Sequence, residues 1–570
     1  MDSNQQNSRE KGGIKTLPFI MANEIFEKVS GQGVMANMMI YLRDTYHMGA
    51  AAGQSVLFIY GAVASILPVF GAFLADSYCG RYRVILIGSV ACLLGTILVW
   101  LTAMLPGAKP PACASACQSP TPSQLALLFC GFALLGIGEG GVRPCSIAFG
   151  ADQFSQRKGP EKQKILQTYF NWYYASVGFS FMVGSTVIVA IQDHFGWKVG
   201  YAVPLALILL ATILFVVASS LYINMKAEKS MFTGLLQVVF VSLKHRNLVL
   251  PPKTSNASYY HETDSKLTVP SDKLRFFNKA CIIQNPTEQL NIDGSTSKPW
   301  NLCTVEQVEG LKSVMRVIPL WSSGIMVPLV LNQGFPVLQA KTMDRHIFSK
   351  FEIPAGSFGV FGILTLTVWS GSYDRFIVPV LEKITRRPRA FSLKQRMGIG
   401  IIISTVSTGV AAIVEAIRRR KAIEQGLADD MNGVVAMSAM WLVPQHCLSG
   451  LAEAFSVISQ IEFYYTELPS SMASFGVAFW TLGAGLANLL GVLVLKIVTR
   501  TTGSNGRGWL STNLNKGHYD YYYWVLTLMG VVDFFYFLVC SWAYGREGKN
   551  RMREEVGDEE EEEEESMQHS

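Results

Sequence analysis

Glu24, Glu27 and Lys28 sit together in a largely apolar stretch near the start of the chain. Spacings of three and four residues put all three on one helical face. A charge at the centre of a bilayer costs about 2.5–3.5 kcal/mol on insertion scales, so such a cluster needs a reason. Lys28 can neutralise one carboxylate while the other binds or releases a proton. Low-dielectric surroundings favour a neutral carboxyl and a nearby ammonium favours an ionised one, so a small rearrangement switches proton occupancy. The plainer reading is a polar cap about ten residues into a first helix. Gly31 and Gly33 follow and let a neighbouring helix come close. Glu139 and Arg143, four apart, form an internal ion pair or offer Arg143 to an anion in a cavity. Glu453, in Ser449-Gly-Leu-Ala-Glu453-Ala-Phe, has no cation within a turn, which favours a cavity-facing acid that titrates. Glu462, with Gln460, reads as a rim residue. Asn332 and Gln333 beside Gly334 and Pro336 mark a helix break lining a cavity, or merely a helix end. Tyr173 and Tyr174 either stack on a ligand or pack.

These groups need apolar helices to hold them. Half of the 570 residues are apolar and 16% are charged, where soluble proteins carry roughly 25% charged residues. That excludes a string of soluble domains, and the hydrophobicity excludes disorder over most of the chain. No Gly-X-Y period points to collagen. The expected class is an all-α membrane protein. Twelve candidate spans of about 20 apolar residues lie near 14–43, 53–77, 82–105, 123–150, 165–191, 199–223, 308–338, 354–382, 395–417, 433–465, 473–499 and 520–544. They divide the chain into an N-terminal segment (1–13), a six-helix bundle (14–223), a polar linker (224–307), a second six-helix bundle (308–544) and an acidic, disordered tail (545–570) with Glu559 to Glu565 unbroken. Two such halves suggest a site near the midplane between them.

Basic residues orient the chain. Arg9, Lys11, Lys15, Arg81, Arg83, Arg157, Lys158, Lys162, Lys164, Lys383, Arg386, Arg387, Arg389, Lys394, Arg396, Arg546, Lys549, Arg551 and Arg553 all fall on one side, which makes both termini and the linker cytoplasmic. Arg418-Arg419-Arg420-Lys421 breaks the pattern, since it falls outside; either span 9 ends differently or the local bias loses to the whole. The net charge of +6 fits anionic lipid, and no basic-aromatic stretch resembles a nucleic-acid groove. Most of the ten cysteines lie in apolar runs and read as small hydrophobes; Cys113 and Cys117, in an outer loop, leave a disulfide open. No cleavable signal is visible. Asn256-Ala-Ser258 matches a glycosylation sequon but falls in the cytoplasmic linker. Gly136-Ile-Gly138-Glu-Gly140-Gly141 matches a dinucleotide-binding pattern without the strand it requires, so helix packing explains it better. The scattered histidines lack metal-ligand spacing, and no hydrolytic or redox motif appears.

Several motifs together resemble a known family. Gly71-Ala-Phe-Leu-Ala-Asp76-Ser-Tyr-Cys-Gly80-Arg81-Tyr-Arg83 resembles the loop between helices 2 and 3 of the major facilitator superfamily. Glu24-x-x-Glu27-Lys28 looks like the coupling motif of the proton-coupled oligopeptide transporter family. Phe149-Gly-Ala-Asp-Gln-Phe154, Phe170-Asn-Trp-Tyr-Tyr174, Lys341-Thr-Met-Asp-Arg345 and Ala452-Glu-Ala-Phe455 resemble its plant branch, the nitrate/peptide transporter family (NPF). The resemblance runs from Lys15 to about Arg546. It implies the major facilitator fold and a rocking, proton-driven symporter. Glu24, Glu27 and Lys28 then couple protons, with Arg143 at the helix 4 basic site and Glu453 at the helix 10 acid site; Asn332, Gln333 and Tyr174, from the residue reading above, are expected beside them in the substrate cavity, and Asp76, Arg81 and Arg83 in a gating loop. Three positions depart from familiar members. Leu331-Asn332 stands where a dual-affinity nitrate member has a helix 7 His, Val84 where it has a phosphorylated Thr, and Gly178 where peptide transporters have Asn.

The expected function is low-affinity nitrate symport across the plasma membrane, with the vacuolar membrane as the other location. A carrier of a hormone carboxylate, specialised metabolite or small peptide is the alternative, and a non-transporting receptor the remote one. No enzyme activity, cofactor or metal is expected beyond the proton gradient. The expected partners are a small-molecule substrate, protons and the bilayer, with no nucleic acid; the sequence leaves open whether a kinase acts on the linker.

Overall fold

The structure, a computed structural model, describes residues 12–111, 118–155, 160–225, 231–250, 259–261, 269–291, 296–298, 300–348, 351–385, 391–469, 472–503 and 508–568. Cys113, Cys117, Arg157, Lys158, the Asn256–Ser258 sequon and Arg386, Arg387 and Arg389 lie outside them.

Among the described residues, twelve spans follow one another along the chain, six before the linker and six after it. Nine helical stretches among the described residues are long and apolar enough to cross a membrane. One of these, Gln163–Leu221, holds spans 5 and 6, which meet at Gly196 with φ +76°. The first span, Leu17–Ala36 continued by Met38–Asp44, and the tenth, Val443–Glu467, carry the charged clusters and complete the set. Helix starts follow local chemistry. Thr121 with Gln124, Thr304 with Gln307 and Ser392 with Gln395 form reciprocal capping boxes that begin spans 4, 7 and 9.

Lipid offers no hydrophobic gain for bringing helices together, so close backbone approach must supply the packing. Spans 2 and 4 meet where a Cβ on Gly71 would run into the carbonyl of Gly140. Spans 3 and 4 meet where a Cβ on Gly88 would lie 2.8 Å from the oxygen of Gly138. The glycine pattern at 136–141 is therefore a packing seam within span 4, Pro122–Asp152.

Packing divides the chain into two compact units. One comprises Met1–Glu228, Ile325–Ile458 and Trp480–Val532; the other comprises Lys229–Gly324, Ser459–Phe479 and Asp533–Ser570.

Four expectations change. The linker is not simply polar: it contains the helix Met231–Lys244, whose Val238 and Val241 join Cys281, Ile282, Val305 and Val308 in a buried core. Span 10 begins at Val443 rather than 433, because Val435–Ser438 instead pairs parallel with Met343–Asp344. Span 9 runs to Glu424, past the expected 417, and stops before Gly426, whose φ of +73° suits a helix terminator. Arg418 is thereby drawn into the protein: it is fully buried against Glu415 and is not a free outer charge. The last helix continues to Gln568, where an unstructured tail was expected. Glu, Lys, Arg and Met are all strong helix formers, so the backbone stays helical through a run of like charges.

Candidate functional site

The first span brings its charged face inward. Glu24 and Glu27 are buried, and Lys28 is 11% exposed. Lys28 Nζ lies 3.2 Å from Glu27 Oε2 and 3.6 Å from Glu24 Oε1. Tyr173, from span 5, donates its hydroxyl to Glu24 Oε1 at 2.8 Å. The other Glu24 oxygen is buried without a partner among the described residues.

A second charged group comes from span 4. Arg143 Nη2 sits 2.8 Å from Glu139 Oε2, and Tyr60 of span 2 donates to Glu139 Oε1 at 2.9 Å. Glu139 is buried, while the Arg143 side chain is 40% exposed. Pairing and exposure coexist, so the guanidinium keeps donors turned to the interior space. Gly31 faces this pair: a Cβ there would stand 3.4 Å from Glu139 Oε1, an ordinary contact.

The two groups share one cavity of about 380 Å³, lined by Glu27, Lys28, Tyr60, Glu139, Arg143, Asn332, Gln333 and Asn488 among others. Its far wall is the break in span 7. Helix Met326–Leu331 stops, and a new helix, Phe335–Lys341, begins after Asn332-Gln333-Gly334. Backbone groups freed by a break must find partners away from water. Gln54 of span 2 supplies two of them: its Nε2 donates to the Asn332 carbonyl at 3.0 Å, and its Oε1 accepts from Gly334 N at 2.7 Å. Asn332 Nδ2 donates to Asn488 Oδ1 at 3.2 Å, and Tyr522 donates to Gln333 Oε1 at 3.3 Å.

At the end of span 1, three basic side chains bind across helices. Lys341 pairs with Asp44. Arg43 donates to the Met431 carbonyl at 2.9 Å and to Asn432 Oδ1 at 3.2 Å. Arg345 bridges Asp193 at 3.4 Å and Glu352 at 2.6 Å. At the opposite end of span 4, Arg81 Nη1 donates to both Asp152 oxygens, at 2.7 and 2.8 Å, and lies 3.4 Å from Asp76. Arg83 is exposed.

The sequence-expected residues therefore gather unevenly. Glu27, Lys28, Arg143, Asn332 and Gln333 line one cavity, with Glu24 bonded to Lys28 at its edge. Tyr174 does not join them. It is 65% exposed, and Tyr173 takes the inward position, because successive residues of a helix point about 100° apart. Glu453 does not line the cavity either, and among the described residues it has no ion-pair partner. Span 7 and Asn488 of span 11 build that wall in place of span 10. Tyr60, Gln54 and Asn488 were not singled out from the sequence. Their one signal is a polar group set in an apolar helix, which names no partner.

Comparison with known proteins gives the family. The profile of the POT family, PTR2, matches residues 82–510. Protein NRT1/ PTR FAMILY 1.1 of Arabidopsis thaliana is 50% identical over 545 residues, covering 94% of this chain and 92% of its own. Protein NRT1/ PTR FAMILY 1.2 of the same plant is 48% identical over 568 residues, covering 96% and 94%. The crystal structure of the POT family transporter PepTSo superposes with a TM-score of 0.68 at 18% identity, over 93% of this chain and 98% of its own, a likeness of fold. An auto-inhibited POT family peptide transporter superposes equally, at 0.68 and 19% identity, over 93% and 97%. Identity at this level over nearly the full length, on the major facilitator fold, makes this chain a member of the POT family in its plant NRT1/PTR branch, a multi-pass membrane transporter and not an enzyme.

Proposed function

We propose that the chain is a proton-coupled symporter of a small anion, with nitrate as the first substrate. The charge balance around the cavity carries this reading. Lys28 and Arg143 face Glu24, Glu27 and Glu139, so the fully ionised set sums to 2 − 3 = −1. A site of that sign repels an anion. Two bound protons turn it to +1, which matches one nitrate, and Arg143 offers the donors. Two protons per anion also carry one net positive charge inward, and each charge gains about 2.3 kcal/mol per 100 mV of membrane potential. Voltage-clamped oocytes expressing the chain are expected to pass an inward nitrate current that grows as the bath is acidified. A nitrate current indifferent to external pH sinks the proposal.

The cavity volume favours a second reading. Pockets for organic ligands begin at roughly 300 Å³, and about 380 Å³ leaves room for more than nitrate. An acid-dependent current with an organic carboxylate, and none with nitrate, would keep the mechanism and replace the substrate.

We place the protein in the plasma membrane, the location that uptake of an external anion requires, and the basic residues gathered at one end argue for both termini cytoplasmic. A fluorescent fusion found only on the vacuolar membrane refutes this. In that orientation the Asp44–Lys341 pair belongs to an outer gate. The pair is half-exposed and modest, worth up to about 1 kcal/mol. Lys341→Asp is expected to lower nitrate uptake roughly fivefold, and adding Asp44→Lys is expected to restore it. Uptake by the single variant equal to the parent's removes the pair from the gate.

A further inference from the structure

The linker helix Met231–Lys244 is apolar on two faces. One face is spoken for: Val238 and Val241 are fully buried and pack with Val305, Val308 and Leu311 in the first turns of span 7. The other is not. Leu236, Phe240 and Leu243 are 62%, 53% and 56% exposed. Their spacings of four and three make them a single stripe. Trp300 extends it, with its ring edge-on to Phe240 at 5.7 Å and itself 47% exposed. A stripe of this size on a soluble surface marks something that covers it.

Two observations identify the cover. The first is position. The helix is held by its buried face on the start of a membrane-crossing helix, and the chain enters it ten residues after Leu221, where span 6 ends. The stripe therefore lies on the approach to the bilayer, beside first turns of span 7 that still carry Glu306, Glu309 and Lys312. The second is charge. The helix runs directly into Lys244, His245 and Arg246, and from Lys229 to His261 the chain contains four Lys and Arg and no Asp or Glu. Lys244 gives one hydrogen bond to Asn301 Oδ1, at 2.6 Å, and an ammonium has three protons to give. An apolar stripe with an aromatic anchor and a basic C-terminal flank is the pattern of a helix that lies in an anionic membrane interface.

We propose that the helix Met231–Lys244 docks on the membrane surface beside span 7, with Leu236, Phe240 and Leu243 in the acyl boundary and Lys244 and Arg246 on anionic lipid headgroups. Docking anchors the start of span 7 to the lipid. The test uses the full chain in nanodiscs, with a fluorescent amino acid in place of Leu243 and lipids brominated on their acyl chains. With phosphatidylserine present, emission is expected to be quenched. Quenching is expected to fall severalfold in pure phosphatidylcholine or at high salt, and to vanish in Leu236→Glu/Phe240→Glu, whose sites are exposed and leave the linker core intact. Unquenched emission in phosphatidylserine discs overturns the docking. Quenching equal in both lipids and at both salt concentrations overturns the selection of anionic headgroups.

Discussion

Glu24→Gln and Glu27→Gln are each expected to end uphill, acid-driven accumulation of substrate while leaving the protein folded at the cell surface. The geometry separates the two effects. A carboxamide keeps the size of the carboxyl, and its oxygen still accepts from Tyr173 at position 24, now at 2.8 Å. What it loses is the ability to change charge. Lys28 then has one fixed carboxylate neighbour in place of two, since it now lies 3.2 Å from Glu27 and 3.6 Å from Glu24. An uncompensated charge in the bilayer costs about 3 kcal/mol, which is roughly a hundredfold in the occupancy of any state that needs the proton to move. Acid-dependent uptake should fall by that order. A neutral carboxamide resembles the protonated acid, so exchange of labelled for unlabelled substrate without a proton gradient should persist. The measurement is uptake of labelled substrate by proteoliposomes, with and without an imposed gradient. If both variants accumulate substrate as the parent does, this cluster does not couple protons.

Arg418→Ala is expected to be the most destabilising single substitution away from the cavity. Arg418 and Glu415 are both wholly buried. Arg418 Nε and Nη2 donate to the two Glu415 oxygens at 2.8 Å each, and Nη1 donates to Asn515 Oδ1 at 2.8 Å. Gln339 Nε2 completes the shell on Glu415 Oε2, also at 2.8 Å. The network ties span 9 to the end of span 7 and to the segment before span 12. Removing the guanidinium leaves a buried carboxylate with its main partner gone, a loss of about 3–5 kcal/mol. Much less folded protein should be recovered, with a lower melting temperature in detergent. The double variant Glu415→Leu/Arg418→Met, which removes both charges, should recover most of the loss. If Arg418→Ala melts with the parent, the network contributes nothing to stability.

Some of this was legible without coordinates, because certain residue choices are costly enough to speak for themselves. Twelve apolar runs require twelve spans, and Glu24, Glu27 and Lys28 stand out because a charge set in an apolar helix is costly. The break at Asn332-Gln333-Gly334 was visible because polar residues, Gly and Pro collect there. The same logic failed for Arg418. Counting charges near a span end takes each one as solvent-facing, whereas Glu415 lies one turn away and Asn515 almost a hundred residues on. Tyr173 and Tyr174 could not be told apart, since choosing the inward one requires the rotation of span 5 to within one residue.

The sequence by itself determined the membrane class, the number of spans and which ionisable side chains fall inside them. Those properties are local: a run of apolar residues or a buried charge has the same cost wherever the chain takes it. Only the tertiary structure decided which charges share a cavity, that Tyr60 and Tyr173 hold the carboxylates, that Gln54 closes the break in span 7, and that Glu453 and Tyr174 stand apart. Those facts depend on how each helix is rotated and how closely glycine seams such as Gly88 against Gly138 bring backbones together. Such rotations are set by the sum of many small packing contacts between residues far apart in the chain, and no short stretch of sequence contains that sum.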